Sequence, residues 1–233
     1  MSSKTKSISG SNEDFIDHLT YGPYSKLAAY IPQWVTPNQL TWANFTCAMI
    51  GCGCLMWGTS NWSLLVSALF LYLFTFFDAL DGIHARLSGQ LSKFGHFLDH
   101  FLDGFTWLFL YFSVIVKFSL FSPFFIFLFM LRMLMQSFAY LTETVTGHLH
   151  LPRIGPTCEV AGYCVGLVVS FFYPDSFSIS FPALDEIPWL YQVLEHNQLL
   201  ELNVMKITIL GYIFGLPPTI LNFYCQAYQT TKQ

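Results

Sequence analysis

The chain has 233 residues, 54% of them hydrophobic and only 10% charged, with a formal net charge of −4. A soluble domain carries about 25% charged residues, so the composition excludes an ordinary water-soluble globule and points to one integral membrane domain. Aromatic residues reach 18%, enough to clothe helix sides that face lipid, and no nucleic-acid partner is expected.

Residues 1–12 read as a flexible N-terminus and residues 13–233 as the membrane domain. The first 30 residues hold no long apolar core, so no cleaved signal peptide is expected. From Glu13 to Ile31, charges alternate with Phe15, Ile16, Leu19, Leu27 and Tyr30. That pattern predicts an amphipathic helix lying in the membrane interface. Pro37 and Asn38 then open the first span. A spanning helix needs about 20 mainly apolar residues, and such segments fall near 39–58, 61–80, 97–117, 121–145, 157–173 and 205–227. The expected fold is therefore all-α: a polytopic membrane protein with six transmembrane helices behind an N-terminal interfacial helix. The six cysteines lie in apolar runs without CxxC spacing and read as small buried hydrophobes.

Orientation follows from the basic residues. Lys4, Lys6 and Lys26 precede the first span, Arg86 and Lys93 follow the second, Arg153 follows the fourth and Lys232 lies in the tail. Segment 174–204 holds five acids and no Lys or Arg. Six spans put every basic segment on one side and the acidic segment on the other, with Lys117 as the exception. Both termini are thus expected at the cytosolic face.

The stretch FFDALDGIHARLSGQLSKFGHFLDHFLDGF (Phe76 to Phe105) breaks the apolar pattern. Asp78 and Asp81 are three residues apart and share one helix face. Asp99 and Asp103 are four apart and share another. If the two helices lie side by side, four carboxylates converge. Ionisable groups inside a membrane protein are costly and default to function, and like charges in one pocket call for protonation or a bound cation. All-oxygen ligation suits Mg²⁺, Mn²⁺ or Ca²⁺. A pair of such ions about 3.5–4 Å apart can clamp the attacking and leaving oxygens of a phosphoryl displacement. Gly82 and Gly95 leave room for close approach, Ala85 leaves space beside Arg86, and Arg86 can fork onto a phosphate. No P-loop, HExxH, GxSxG or GxGxxG motif is present.

Asp78, Asp81, Gly82, Ala85, Arg86, Gly95, Asp99 and Asp103 stand in the register D-x2-D-G-x2-A-R-x8-G-x3-D-x3-D. This resembles the signature of the CDP-alcohol phosphotransferase family. The resemblance implies a six-helix membrane core, a divalent-metal pair (Mg²⁺ or Mn²⁺) and transfer of a phospho-alcohol to a hydroxyl with CMP leaving. It makes Asp78, Asp81 and Asp99 metal ligands, and Asp103 a metal ligand, the general base, or both. It places Gly82, Ala85 and Arg86 at the CDP site, with Asn38 and Gly95 as further substrate-binding candidates.

WVTPNQLTW (Trp34 to Trp42), the Asp99-His100 pair, TGHLHLP (Thr146 to Pro152) and LPPTILNFY (Leu216 to Tyr224) resemble the choline/ethanolaminephosphotransferase branch, ethanolaminephosphotransferases in particular. That branch implies CDP-ethanolamine or CDP-choline as donor, a diacylglycerol-like acceptor, and an endoplasmic reticulum or Golgi membrane with the site facing the cytosol. Membrane lipids and a second copy of the chain complete the expected partners. The branch runs to about ten spans and commonly has Glu where this chain has His96. His96 and His100 share a face beside Gly95 and Asp99 and are acid–base candidates. Glu143 or Glu159 is placed to meet the alcohol's ammonium, His148 and His150 sit near Arg153 in a cytosolic loop, and Arg132 is expected to be paired or snorkelling. Three other readings compete: a CDP-diacylglycerol-dependent phosphatidyltransferase, a membrane cation site or transporter, and a catalytically silent partner protein. The first is separated by donor preference. The second is disfavoured by carboxylates at one face beside Arg86, and the third by the intact motif.

Overall fold

The computed structural model describes residues 15–146, 155–174, 179–180, 187–214 and 225. His148, His150, Arg153, the segment 216–224, the first twelve residues and the far part of the sixth expected span lie outside the described residues. Within them run α1 (Phe15–Ala28), α2 (Pro37–Trp57), α3 (Trp62–Ser88), α4 (Lys93–Phe118), α5 (Pro123–Thr146), α6 (Pro156–Phe172), β1 (Ile179–Ser180), α7 (Pro188–His196), β2 (Glu201–Leu202) and α8 (Val204–Phe214). The two short strands pair antiparallel, Ile179 opposite Leu202. Neither they nor α7 is foreshadowed by the apolar segments.

This is an all-α membrane protein. Four helices, α2 to α5, are long and apolar enough to cross a membrane, and α6 is apolar but 17 residues long. The described part of α8 covers 11 residues of the sixth expected segment.

The helix ends near residues 36–40 and 88–95 are set by local chemistry. Thr36 Oγ1 accepts the Gln39 backbone N–H at 3.3 Å, and Gln39 Oε1 accepts the Thr36 N–H at 2.9 Å. This reciprocal cap starts α2, with Pro37 at a position where a missing N–H costs nothing. α3 runs through the first two aspartates and Arg86 and stops only at Gly89, whose φ of 69° is the left-handed conformation glycine adopts freely. The segment that follows the second apolar stretch is therefore mostly helix. The apolar pattern stops once polar residues begin, although Asp81 and His84 there are buried inside the protein. Ser92 opens α4 by accepting the Gly95 N–H on its Oγ at 2.9 Å.

α2 lies against both α3 and α4, and α3 also meets α1 and α6, whereas α3 and α4 hardly approach each other. The two aspartate helices do not need to lie side by side for their carboxylates to meet: α2 bridges them, and a gap remains between them. Small buried residues, Ala48, Cys52, Ser67 and Ala68, line the α2 and α3 backbones. Close backbone approach of this kind replaces the hydrophobic drive that lipid cannot provide. α1 docks on α3 through the buried Ala28 cluster with Leu40, Leu80 and Ile83, and Tyr24 meets Phe76 edge-on at 5.3 Å. Phe15 and Leu19 remain exposed. The link between α1 and α2 is tied to the end of α3, because His84 Nε2 lies 2.8 Å from the Val35 carbonyl oxygen and Gln90 Nε2 donates to that of Gln33 at 2.9 Å. At the opposite end, Lys117 Nζ donates to the Gly58 carbonyl at 2.8 Å and lies within reach of Ser63 Oγ.

Candidate active site

The gap between α3 and α4 is a cavity of about 300 Å³. Asn38, Gly82, Ala85, Arg86 and Gly95, the five residues read from sequence as substrate-binding, all line it, as do Asp81, Asp99, His96 and His100. Asp78 and Asp103 do not line the cavity. Asp81 nevertheless lies within electrostatic range of Asp78 and Asp99, as Asp103 does of Asp99 and Asp81. The four carboxyl groups therefore form one electrostatically coupled acidic cluster, carried by α3 and α4.

Neutral donors steady three of them. Thr41 Oγ1 donates to Asp81 Oδ2 at 2.6 Å, Asn44 Nδ2 to Asp78 Oδ1 at 2.8 Å, and Tyr140 Oη to Asp103 Oδ2 at 3.1 Å. Gln136 Nε2 in turn donates to Tyr140 Oη at 2.8 Å. The sequence reading missed Thr41, Asn44, Gln136 and Tyr140. Their signal was present: Asn38, Thr41 and Asn44 recur every third residue of an otherwise apolar α2, and Gln136, Tyr140 and Glu143 fall on one face of α5. Such spacing marks a polar seam turned toward a partner.

No lysine or arginine among the described residues pairs with these carboxylates; the four ion pairs there involve His96, His100 and Arg132, and the arginine's partner is Glu159. The ion pair that reaches Asp99 comes from His100, whose Nδ1 stands 3.8 Å from Asp99 Oδ2. Asp99 Oδ1 is buried without a hydrogen-bond partner, and so is Asn44 Oδ1. A buried acceptor left unpaired is expensive, and a hard cation satisfies it. Asp99, His100 and Asp103 also bring ligand atoms within 4.8 Å of one another. The residues present thus fit a divalent metal. Arg86 stands at the mouth, exposed and without an ion pair among the described residues, as a phosphate-binding guanidinium would.

The two histidines converge on one carboxylate. His100 Nε2 lies 2.9 Å from Glu143 Oε2, and His96 Nε2 lies 3.2 Å from Glu143 Oε1. The rings are 4.3 Å apart, and His100 stacks on Tyr140 at 4.1 Å. His100 Nδ1, the other ring nitrogen, is buried and has no hydrogen-bond partner.

Glu143 lines the cavity. Glu159, the alternative carboxylate considered for an ammonium, is committed elsewhere. Its oxygens accept from Arg132 Nε at 2.7 Å and Tyr111 Oη at 3.0 Å, and the guanidinium lies over the Trp107 ring at 5.6 Å. Arg132 is therefore paired inside the protein.

A family model described as CDP-alcohol phosphatidyltransferase matches residues 34–194. The chain belongs to that family. It is 24% identical over 207 residues to cholinephosphotransferase 1 of Mus musculus, covering 85% of this chain and 48% of the relative. It is 22% identical over 212 residues to choline/ethanolaminephosphotransferase 1 of Saccharomyces cerevisiae, covering 83% of this chain and 50% of the relative. A shorter match, 36% over 69 residues, joins 30% of this chain to 35% of archaetidylinositol phosphate synthase of Pyrococcus horikoshii. The chain spans about half the length, or less, of these curated relatives.

Proposed function

We propose that this protein transfers phosphoethanolamine or phosphocholine from the CDP-linked alcohol to the hydroxyl of a diacylglycerol, releasing CMP. The observation that carries this reading is the cavity itself. It joins carboxylates from α3 and α4 to Arg86, which has no ion pair among the described residues, and to a buried His100 nitrogen without a hydrogen-bond partner. The likeness along most of the chain to choline- and ethanolaminephosphotransferases supports it.

Asp78, Asp81, Asp99 and Asp103 would hold a pair of hard divalent cations, Mg²⁺ or Mn²⁺. When bound, these supply charge neutralisation along the diphosphate and stabilise the oxygen that leaves with CMP. The chain's own residues do the rest. Arg86 grips the diphosphate, while Gly82, Ala85, Gly95 and Asn38 leave a slot for the nucleotide. With its Nε2 proton directed at Glu143, His100 presents Nδ1 as an acceptor toward Asp99 and Asp103. It can take the proton of the attacking hydroxyl as that oxygen bonds to the phosphorus bearing the alcohol and the bridging P–O bond breaks. Asp103 is the other candidate base, but its Oδ2 already accepts from Tyr140. His96 is a step further out and supports Glu143.

Six spans with α1 in the interface, an endoplasmic reticulum or Golgi membrane and a cytosolic opening complete the reading; the basic residues around α3 and α4 support the orientation. A cysteine at Ser88 should react with a membrane-impermeant thiol reagent from the cytosolic side only, and one at Ser60 from the other side only. Reversed labelling would overturn the orientation.

The likeness to an archaetidylinositol phosphate synthase over 69 residues keeps one second reading alive, a CDP-diacylglycerol-type donor with a small polar acceptor. A donor panel with purified protein separates them. CMP release should require CDP-ethanolamine or CDP-choline together with diacylglycerol. Release from CDP-diacylglycerol plus inositol, serine or glycerol phosphate, and not from the former pair, would reverse the assignment.

A further inference from the structure

We propose that His96, His100 and Glu143 form a second metal site, distinct in chemistry from the carboxylate cluster and selective for Zn²⁺ or a similar borderline ion. The three ligand atoms already lie within 4.8 Å of one another. The separations between the imidazole Nε2 atoms and the Glu143 oxygens are 2.9 and 3.2 Å. Ligands about 2.0–2.1 Å from a tetrahedral Zn²⁺ stand roughly 3.3 Å apart. Little movement is then needed for an ion to replace the two protons these groups share.

The donor set decides the metal. Two imidazole nitrogens and one carboxylate oxygen suit Zn²⁺, with a fourth position open. Mg²⁺ and Ca²⁺ prefer the neighbouring all-oxygen set. Geometry favours the pair as well: His96 and His100 are one helical turn apart on α4, and Glu143 comes from α5, so the ion would staple two helices that otherwise meet sparsely. His96 is 57% exposed, which leaves the site open to ions from solvent. On the far side of His100, Nδ1 faces Asp99 Oδ2 at 3.8 Å, too long for a hydrogen bond, so closing that gap is the one adjustment the carboxylate behind the ligating ring would still need.

Occupation would take His100 Nε2 away from Glu143 and fix the ring. The predicted consequence, inhibition of turnover by Zn²⁺, rests on the phosphotransferase reading, whereas the binding does not. The test uses the full chain in detergent with enough Mg²⁺ to saturate the carboxylates. One equivalent of Zn²⁺ should stay bound through gel filtration, and Co²⁺ in its place should give the strong visible absorption of a low-coordinate site with nitrogen ligands. His96→Ala and Glu143→Gln should each weaken Zn²⁺ binding by about tenfold or more, while Asp78→Asn binds as the unaltered chain does. No retained Zn²⁺, a weak octahedral Co²⁺ spectrum, or binding lost in Asp78→Asn and kept in the other two would overturn the site. Bound Zn²⁺ without CMP release from any donor would preserve the site and sink the catalytic reading instead.

Discussion

Two groups of charged side chains interrupt the apolar interior, and they are built on opposite plans. Around Glu159 every charge is answered from within: Arg132 and Tyr111 hold its two oxygens, Trp107 covers the guanidinium, and Glu159 is 2% exposed. Around Asp99 the negative charges outnumber the positive, an acceptor is buried without a partner, and a cavity opens beside it. Both arrangements cost desolvation. Only the first recovers it inside the protein, and it ties α4, α5 and α6 together. The second is left open to something from outside, and that asymmetry separates a structural clamp from a site.

The comparison can be broken from either side. The largest effect is expected at the clamp. Glu159→Ala leaves Arg132 buried without a counter-charge and should destabilise the protein by about 3–5 kcal/mol, read as a lowered thermal midpoint in detergent. The folded fraction should keep near-normal turnover per molecule. A replacement of Arg132 and Glu159 together by Leu should recover most of that stability, since a buried pair is often matched by apolar residues.

At the site the signs reverse. Asp103→Asn keeps size and an oxygen but removes a charge and a proton acceptor. Turnover should fall by at least about a hundredfold, with CDP-alcohol affinity changed much less and thermal stability in the absence of metal unchanged or raised, because one repelling charge is gone. Near-normal turnover would take Asp103 out of both metal holding and proton transfer. Smaller again is Thr41→Val, which strips the 2.6 Å hydrogen bond from Asp81. Supporting residues of this kind are worth about tenfold or more in metal affinity, so the Mg²⁺ concentration for half-maximal activity should rise by about that factor. The smallest effect belongs to Gly95→Ala, whose methyl would meet Asn38 Oδ1 at 2.9 Å and Ser92 Oγ at 3.0 Å. The Asn38 amide can shift, but Ser92 Oγ caps α4 through the Gly95 N–H, so a loss of a few fold in apparent donor affinity is expected together with a stability loss of about 1 kcal/mol or less.

Much of this was legible in the sequence, for physical reasons. The aspartates at helical spacing, Arg86 and the glycines declare themselves because a carboxylate in an apolar segment is too costly to persist without a task. The long apolar segments mark α2 to α5 because their length is imposed by the bilayer. What stayed hidden depends on which helix neighbours which. Glu143 and Glu159 look equivalent in sequence, yet one lines the cavity with His96 and His100 while the other is sealed against Arg132. The bridging position of α2, which makes the gap between α3 and α4, is hinted at by the polar seam of Asn38, Thr41 and Asn44, but that seam does not name the helices it meets. α7 is short and α3 continues past its apolar part, so windowed hydropathy sees neither the one nor the end of the other.

If the open carboxylate cluster works by holding divalent metal for phospho-alcohol transfer, activity must follow the metal. The direct measurement is CMP release by the purified full chain from CDP-ethanolamine or CDP-choline with diacylglycerol, first in excess EDTA and then with Mg²⁺ or Mn²⁺ restored. No turnover is expected in EDTA, and recovery is expected with either ion. Full turnover in excess EDTA would contradict the metal-dependent role of the cluster.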